Sequence, residues 1–410
     1  MRETGIAWLA SIFLGSLSIA VAMSGCRAES VPVESTHRQV EGAFHVHSGD
    51  RIQEALDAAA AEGIKQVVVH EGIYRPDSPG QALIWLNRQH DGIALTAQGD
   101  VTLRADNPEV ADPNSESYPA IVNHVVYFGD GITPATIFRG FRITGSHAFV
   151  TRDESVSIQT ETGLESLNKV EFFYTDGGGI KIFGRSYPTI EEVDVVGNYA
   201  RPCGGGVSVE HRGFHQEFVT FRDCIFRENR CQLTGSGVDV LPESSARFFN
   251  CLFLNNVGNL GEDDVSPEGE SYNAEHGSGA LTVFPGSRVI VENCTFTGNW
   301  NGVDDKGMGN VYQNNIFWNN TRPGGLSPGE RFEFDILSGV NVKGCWIAGR
   351  IPDLRETIDE SRNVLKAPDP QFDSNFAPKS PTYEGVGYRP VGRFAQTLSE
   401  ISKSDSSNRP

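Results

Sequence analysis

The 410-residue sequence predicts an all-β fold, a right-handed parallel β-helix of three sheets with a short helix over its N-terminal end. Three observations predict it. A strand ending in Asn recurs about every 27–31 residues, as expected for one turn of a parallel solenoid. A glycine triplet followed by an alternating strand stands in fixed relation to that Asn. Gly 45 and Phe 24 against Met 3 suit short strands joined by tight turns better than a bundle of helices. A repeat architecture also explains how so long a chain forms one body, because it grows by adding coils.

The chain divides into residues 1–25, a targeting segment; 26–42, a flexible tether; 43–390, the β-helix; and 391–410, a disordered tail. Arg2 precedes an apolar run that ends at Met23-Ser24-Gly25-Cys26. Small residues before a cysteine resemble a bacterial lipobox. That resemblance implies lipidation of Cys26, a membrane anchor and a place in the cell envelope. An ordinary cleaved signal peptide is the other reading.

After the tether, Phe44-His45-Val46-His47 reads as a strand with both histidines on one side. With no further ligand apparent nearby, they read as strand-face residues before a metal pair. Arg51 to Glu62 puts Ile52, Ala55, Leu56 and Ala59 on one helical face, a polar cover for the first coil. Val67-Val68-Val69 follows as a buried strand.

The repeat runs from about residue 137. Its strands include Asp223-Cys224-Ile225-Phe226 ending at Asn229, Asn250-Cys251-Leu252-Phe253 ending at Asn256, and Asn293-Cys294-Thr295-Phe296 ending at Asn299. Asn314-Asn315-Ile316-Phe317 ends at Asn320, and Asn198 closes an earlier copy. An amide both donates and accepts, so stacked Asn side chains can form a ladder, and Asn tolerates the left-handed backbone of a sharp corner. Cys224, Cys251, Cys294 and Cys345 read as stacked small hydrophobes rather than metal ligands. The triplets are Gly177-Gly178-Gly179, Gly204-Gly205-Gly206, Gly235-Ser236-Gly237 and Gly277-Ser278-Gly279.

This pattern resembles the pectin-lyase-like family of right-handed β-helix repeat proteins. The segment from Ile52-Gln53-Glu54 to Gly72-Ile73-Tyr74 is similar to the family's opening segment, and Asp369-Pro370-Gln371-Phe372 with Lys379-Ser380-Pro381 to a common closing one. The resemblance covers roughly residues 44–388 and is specific for fold, not for activity. It implies binding of extended polymers in side grooves. The motifs of the polygalacturonases are not reproduced: Asp304-Asp305 follows His276-Gly277, and Arg-Ile-Lys is absent. The calcium-aspartate and arginine arrangement of the pectate lyases is not identifiable either.

The chemistry is expected where the repeat is broken. Residues 147–176, 257–276 and 321–330 all leave the same corner, beside the glycine-strand sheet. Aligned on the last glycine, that sheet presents an outward column of Lys181, Ser208, Asp239, Leu281, Asp304 and Glu333. Beside it stand Phe183, Glu210, Leu241, Val283, Lys306 and Asp335. Coils lie about 4.8 Å apart, which puts Asp304 and Glu333 near the separation of a retaining glycosidase pair and Asp239 and Asp304 near an inverting one. Lys306 would serve as a β-elimination base if its pKa were depressed. The candidate catalytic set is therefore Asp239, Asp304, Lys306, Glu333 and Asp335, with Glu210, His211, Leu241 and His276 as substrate contacts. The same carboxylates, or the acidic insertion from Glu262 to Glu275, suit calcium. A solvated polar face is the alternative. Cys203 and Cys231, one coil apart in corner loops, are a candidate disulfide.

A formal charge of -19 excludes nucleic acid as a partner. Two functions remain: a carbohydrate-active protein that binds or cleaves polysaccharide, as hydrolase or lyase, and a non-catalytic envelope lipoprotein serving as a glycan-binding, protein-binding or structural module.

Overall fold

The computed structural model describes residues 38–40, 42–147, 176–201, 203–260, 279–322, 330–336, 339–352 and 358–395. Cys26, His276 and the acidic run from Glu262 to Glu275 lie outside the described residues, as does most of each corner insertion.

Strands dominate, and apart from Arg38–Val40 they pair in parallel, each with the strand one coil away. One coil consists of Val207–Glu210, Val219–Arg222 and Ile225–Arg227, and the next of Val238–Val240, Ser245–Phe249 and Leu252–Leu254. Val207 lies opposite Val238, Phe221 opposite Phe248 and Phe226 opposite Phe253. The glycine strands form an 8-stranded sheet of their own. The other two faces run together into an 18-stranded sheet, because the corner between them is one left-handed residue: Asp223 (φ 54), Asn250 (φ 53), Asn293 (φ 53) or Asn314 (φ 54).

Inward residues stack like on like. Phe226, Phe253, Phe296, Phe317 and Phe334 form a ring column with centroids 4.3–5.1 Å apart. The amide ladder is present as expected: Asn198 Nδ2 donates to Asn229 Oδ1 (3.2 Å), Asn229 to Asn256 (3.1 Å), Asn256 to Asn299 (2.9 Å) and Asn299 to Asn320 (2.7 Å). The left-handed residue at this corner is the one before each ladder amide, such as Asn255 (φ 56) or Asn319 (φ 56). The ladder asparagines are thus retained for their side chains, and Glu228 or Gly298 serves equally well at the bend.

The helix Ile52–Glu62 buries Ile52, Ala55, Leu56 and Ala59 and ends at left-handed Gly63 (φ 71). Its N-cap, Arg51, makes no side-chain capping bond.

Both boundaries of the body shift. Arg38–Val40, expected in the tether, form a strand antiparallel to Ala43–Val46. Residues 391–395, expected in a disordered tail, are docked: Gly392–Ala395 form a short helix, and Phe394 is buried with Tyr388 against Ile225, Leu252 and Leu254. Apolar outward residues on two adjacent strands required a cover, and the chain supplies it by running back along the solenoid. Gly387 N reaches Asn314 O (2.8 Å), Arg389 N reaches Asn250 Oδ1 (2.7 Å) and Arg393 N reaches Glu192 Oε2 (3.2 Å).

Candidate functional site

The outward column of the glycine-strand sheet is Lys181, Ser208, Asp239, Thr282, Asp304 and Asp335. Two expected positions change. Val238 pairs with Leu281, so Leu281 and Val283 point into the core and Thr282 takes the outward place. The cause is one extra residue, Ala280, between the last glycine and the inward Leu281: Ala280 N and Leu281 N both donate to Gly302 O (2.7 and 3.3 Å), a bulge that advances the register by one. In the last coil Asp335, not Glu333, stands opposite Asp304. Glu333 instead ends the amide ladder, its carboxylate accepting from Asn320 Nδ2 and from Asn320 N (3.1 Å). It is a terminal cap for stacked amides, which leaves the Asp304–Glu333 pair without a geometric basis.

The column is buried and divides into three groups. In the first, Lys181 Nζ contacts Asp176 Oδ1 (2.7 Å) and Glu210 Oε2 (2.5 Å), and Ser208 Oγ donates to Asp176 Oδ2 (2.6 Å). Burial raises the Asp176 carboxyl to about 6, with the Lys181 charge holding it down. Burial also works against the Lys181 charge, but Asp176 and Glu210 outweigh it and its pKa rises. Glu210 is further paired with Arg212 Nε (2.5 Å), so it is an internal counter-ion rather than a substrate contact.

In the second group, Asp239 Oδ2 accepts from Thr234 Oγ1 (2.7 Å). Burial pushes this carboxyl up to about 8, with Asp176 adding to the rise. Cys203 and Cys231 lie beside it as free, buried thiols, not as a disulfide. Both lie against Thr234: Cys203 Sγ is 3.2 Å from its hydroxyl oxygen, and Cys231 Sγ donates to its carbonyl (3.1 Å).

In the third group, Lys306 Nζ stands 3.0 Å from Asp304 Oδ1 and 3.0 Å from Asp335 Oδ2. Burial raises the Asp304 carboxyl to about 7; Lys306 opposes the rise and Asp335 adds to it. The Lys306 pKa is raised, since the two carboxylates outweigh its burial. That is the reverse of what an elimination base requires. Its ammonium also occupies the place between the two carboxylates that a calcium ion would need. A cavity of about 190 Å³ opens here, lined by Thr234, Thr282, Val283, Phe284, Pro285, Asp304 and Lys306. At the corner where the insertions leave, a larger one of about 530 Å³ is lined by residues including His147, Tyr199, Arg201 and Arg230.

Residues 130–263 match the family described as a right handed beta helix region. The protein is a right-handed β-helix. Its resemblance to the pectin-lyase-like proteins holds at the level of the fold. Among solved structures the β-helix is similar to a putative glycosyl hydrolase from Parabacteroides merdae (14% identity, 65% of this chain and 86% of that one, TM-score 0.26). It is similar also to the catalytic domain of a GH87 alpha-1,3-glucanase in complex with tetrasaccharides (11% identity, 85% of this chain and 68% of that one, TM-score 0.28). Likenesses this loose carry no functional argument. No curated protein matches the chain.

Of the residues singled out in the sequence, the β-helix brings together Asp304, Asp335 and Lys306, with Asp239 two strands away on the same face. It removes His211, whose Nε2 meets Ser186 O (3.0 Å) and whose Nδ1 meets Ser245 N (3.1 Å). Burial drives that imidazole down to about 3, so it is a neutral structural link. Leu241 is also buried, at 8% exposure, and offers no open apolar surface. Thr234, Asp176 and Thr282 were missed. The first two share a signal: each precedes the first glycine of a triplet and bonds to the outward residue five positions on.

Proposed function

We propose that this β-helix is a carbohydrate-active protein that hydrolyses a glycan at the glycine-strand face, with Asp304 as the proton-donating carboxyl. The observation that carries the reading is an Asp304 carboxyl held at about 7 on the wall of the 190 Å³ cavity, where it keeps a transferable proton near neutrality. Asp239 stands two strand steps away, about 9–10 Å at the backbone, near the upper end of the inverting separation. Held at about 8, it acts as the base only once ionised, so hydrolysis is expected to peak between about pH 7 and pH 8. Hydrolysis is favoured over β-elimination because Lys306 is held charged by two carboxylates. Tyr199 with Arg201 and Arg230 at the neighbouring corner would supply a ring platform and cationic donors for a sugar chain.

The test is incubation of purified protein with a polysaccharide panel, read both as reducing ends and as unsaturated-uronate absorbance. New reducing ends without ultraviolet absorbance, abolished in Asp304→Asn, are expected. Absorbance rising with reducing ends would replace hydrolysis by elimination. A second reading, a non-catalytic glycan-binding module, is favoured by the burial of Asp239, Asp304 and Asp335, exposed by 0–1%. It predicts binding on a glycan array with silence in both cleavage readouts.

Export and anchoring belong to the same proposal and rest on the Met23-Ser24-Gly25-Cys26 sequence. No described helix is long and apolar enough to cross a membrane. Cys26→Ala is expected to move the protein from the detergent phase to the aqueous phase in a phase-partition assay.

A further inference from the structure

The first coil holds a histidine cluster distinct from the glycine-strand face. In strand Ala43–Val46, Phe44 and Val46 are buried, so His45 and the following His47 face outward. In Gln66–Tyr74, Val67 and Val69 are buried and His70 faces outward. The parallel register that sets Val46 opposite Val69 brings His70 beside His47, although the two are remote in sequence. His45 Nδ1 lies 2.8 Å from His70 Nε2. The His47 and His70 rings stack with centroids 4.1 Å apart and planes 10° from parallel.

These separations have a chemical reading. Two imidazole nitrogens on one tetrahedral zinc, each bound at about 2.0–2.1 Å, stand about 3.3 Å apart. The 2.8 Å contact between the His45 and His70 nitrogens is close to that distance, and the His47 ring lies directly against His70, so ring rotations from strand-held positions would converge the three donors. The rings now stack instead of aiming at one point, and no three donors among the described residues already surround a cation position. The backbone is fixed where it matters: the Tyr74 hydroxyl donates to His70 O (2.9 Å) and lies against Val46 O (3.3 Å). A chain of charge -19 adds a favourable field for a cation.

The geometry points to a surface site for one divalent transition-metal ion, zinc in the first instance, with His45, His47 and His70 as ligands and water in the fourth position. Binding replaces the proton shared between His45 and His70 and clamps the first two strands of the solenoid together.

The test is calorimetric titration of zinc chloride into the chelator-treated full chain near neutral pH, with a parallel thermal melt. One zinc per chain and a raised Tm are expected. His47→Gln and His70→Gln should each weaken binding by at least about tenfold, the loss seen when even a supporting group of a metal site is removed. His215→Gln, whose ring is tied to Glu243 O, should leave the isotherm unchanged. His47 is exposed, so its variant decides the matter even if His70→Gln folds poorly. Absence of binding heat in the wild type, or an unaltered isotherm in His47→Gln, overturns the site.

Discussion

The buried carboxyls of the sheet face have opposite claims on stability and chemistry. Asp239 and Asp304 have folded-state pKa values of about 8 and about 7, above the ordinary aspartate value. The native state therefore holds protons that the unfolded chain has released. Their contribution is fully present below the unfolded pKa, about 4, and is lost as pH rises through the folded values. Melting temperature should accordingly fall between about pH 5 and pH 8. Asp239→Asn keeps the shape without the titration, so it should flatten the upper part of that fall and stabilise the protein at pH 8 by at least about 1 kcal/mol. Melts of both proteins across the range check this; parallel curves would refute it. The amide ladder makes a sharper case. Asn256 Oδ1 accepts from both Asn229 N (3.0 Å) and Asn229 Nδ2 (3.1 Å). Asn256→Ala strands both donors inside the corner and should cost about 2–4 kcal/mol in urea denaturation.

The triplets Gly177-Gly178-Gly179 and Gly204-Gly205-Gly206 divide their labour alike. The first member takes the left-handed backbone, as Gly204 does (φ 62), while the second and third permit close approach. A Cβ on Gly206 would lie 2.5 Å from Gly237 O of the next coil, and one on Gly205 would strike the Arg230 carbonyl. Neither obstacle is a flexible side chain. Gly206→Ala must therefore push coils apart, and a loss above about 3 kcal/mol, or failure to fold, is expected from strain of this kind. Soluble expression and a urea midpoint measure it. Beneath the C-terminal strap, Asp194 is fully buried and paired with Arg227 (2.9 and 3.0 Å) and Arg142 (3.3 Å). Burial opposes ionisation of Asp194, yet Arg227 and Arg142 outweigh it and hold its carboxyl below the usual range. Asp194→Ala leaves two guanidinium groups without their shared partner and should cost about 3–5 kcal/mol, measurable by the same denaturation.

The solenoid is closed at two places by different devices. The helix Ile52–Glu62 shields the first coil, and the C-terminal strap shields one outer face. Removal of residues 387–410 would expose Ile225, Leu252 and Leu254 and delete Tyr388 and Phe394, their cover. The truncated chain should melt lower and self-associate in light scattering, because a stacked β-surface with an apolar stripe invites pairing. A monomer of unchanged Tm would show that the strap is ornamental to folding.

How much of this was legible in the sequence follows from what sequence periodicity can encode. The Asn and Cys columns, the Phe stack and the glycine triplets are each a recurring residue at a recurring step, and a parallel coil turns such a step directly into contact. The coil fold, the ladder and the burial of Cys224, Cys251, Cys294 and Cys345 could therefore be read in advance. Register across the irregular coils could not. One added residue at Ala280 exchanged Leu281 for Thr282 on the outer face, and the last coil exchanged Glu333 for Asp335, because a shift of one turns every side chain over. Contacts between residues remote in the chain were equally closed to inspection: His70 beside His47, Glu333 on the amide ladder, the tail over Leu252. The recurring residues dictate the repeat and hence the fold. Tertiary structure decided which carboxyls share Lys306, since that depends on the register of coils whose lengths differ.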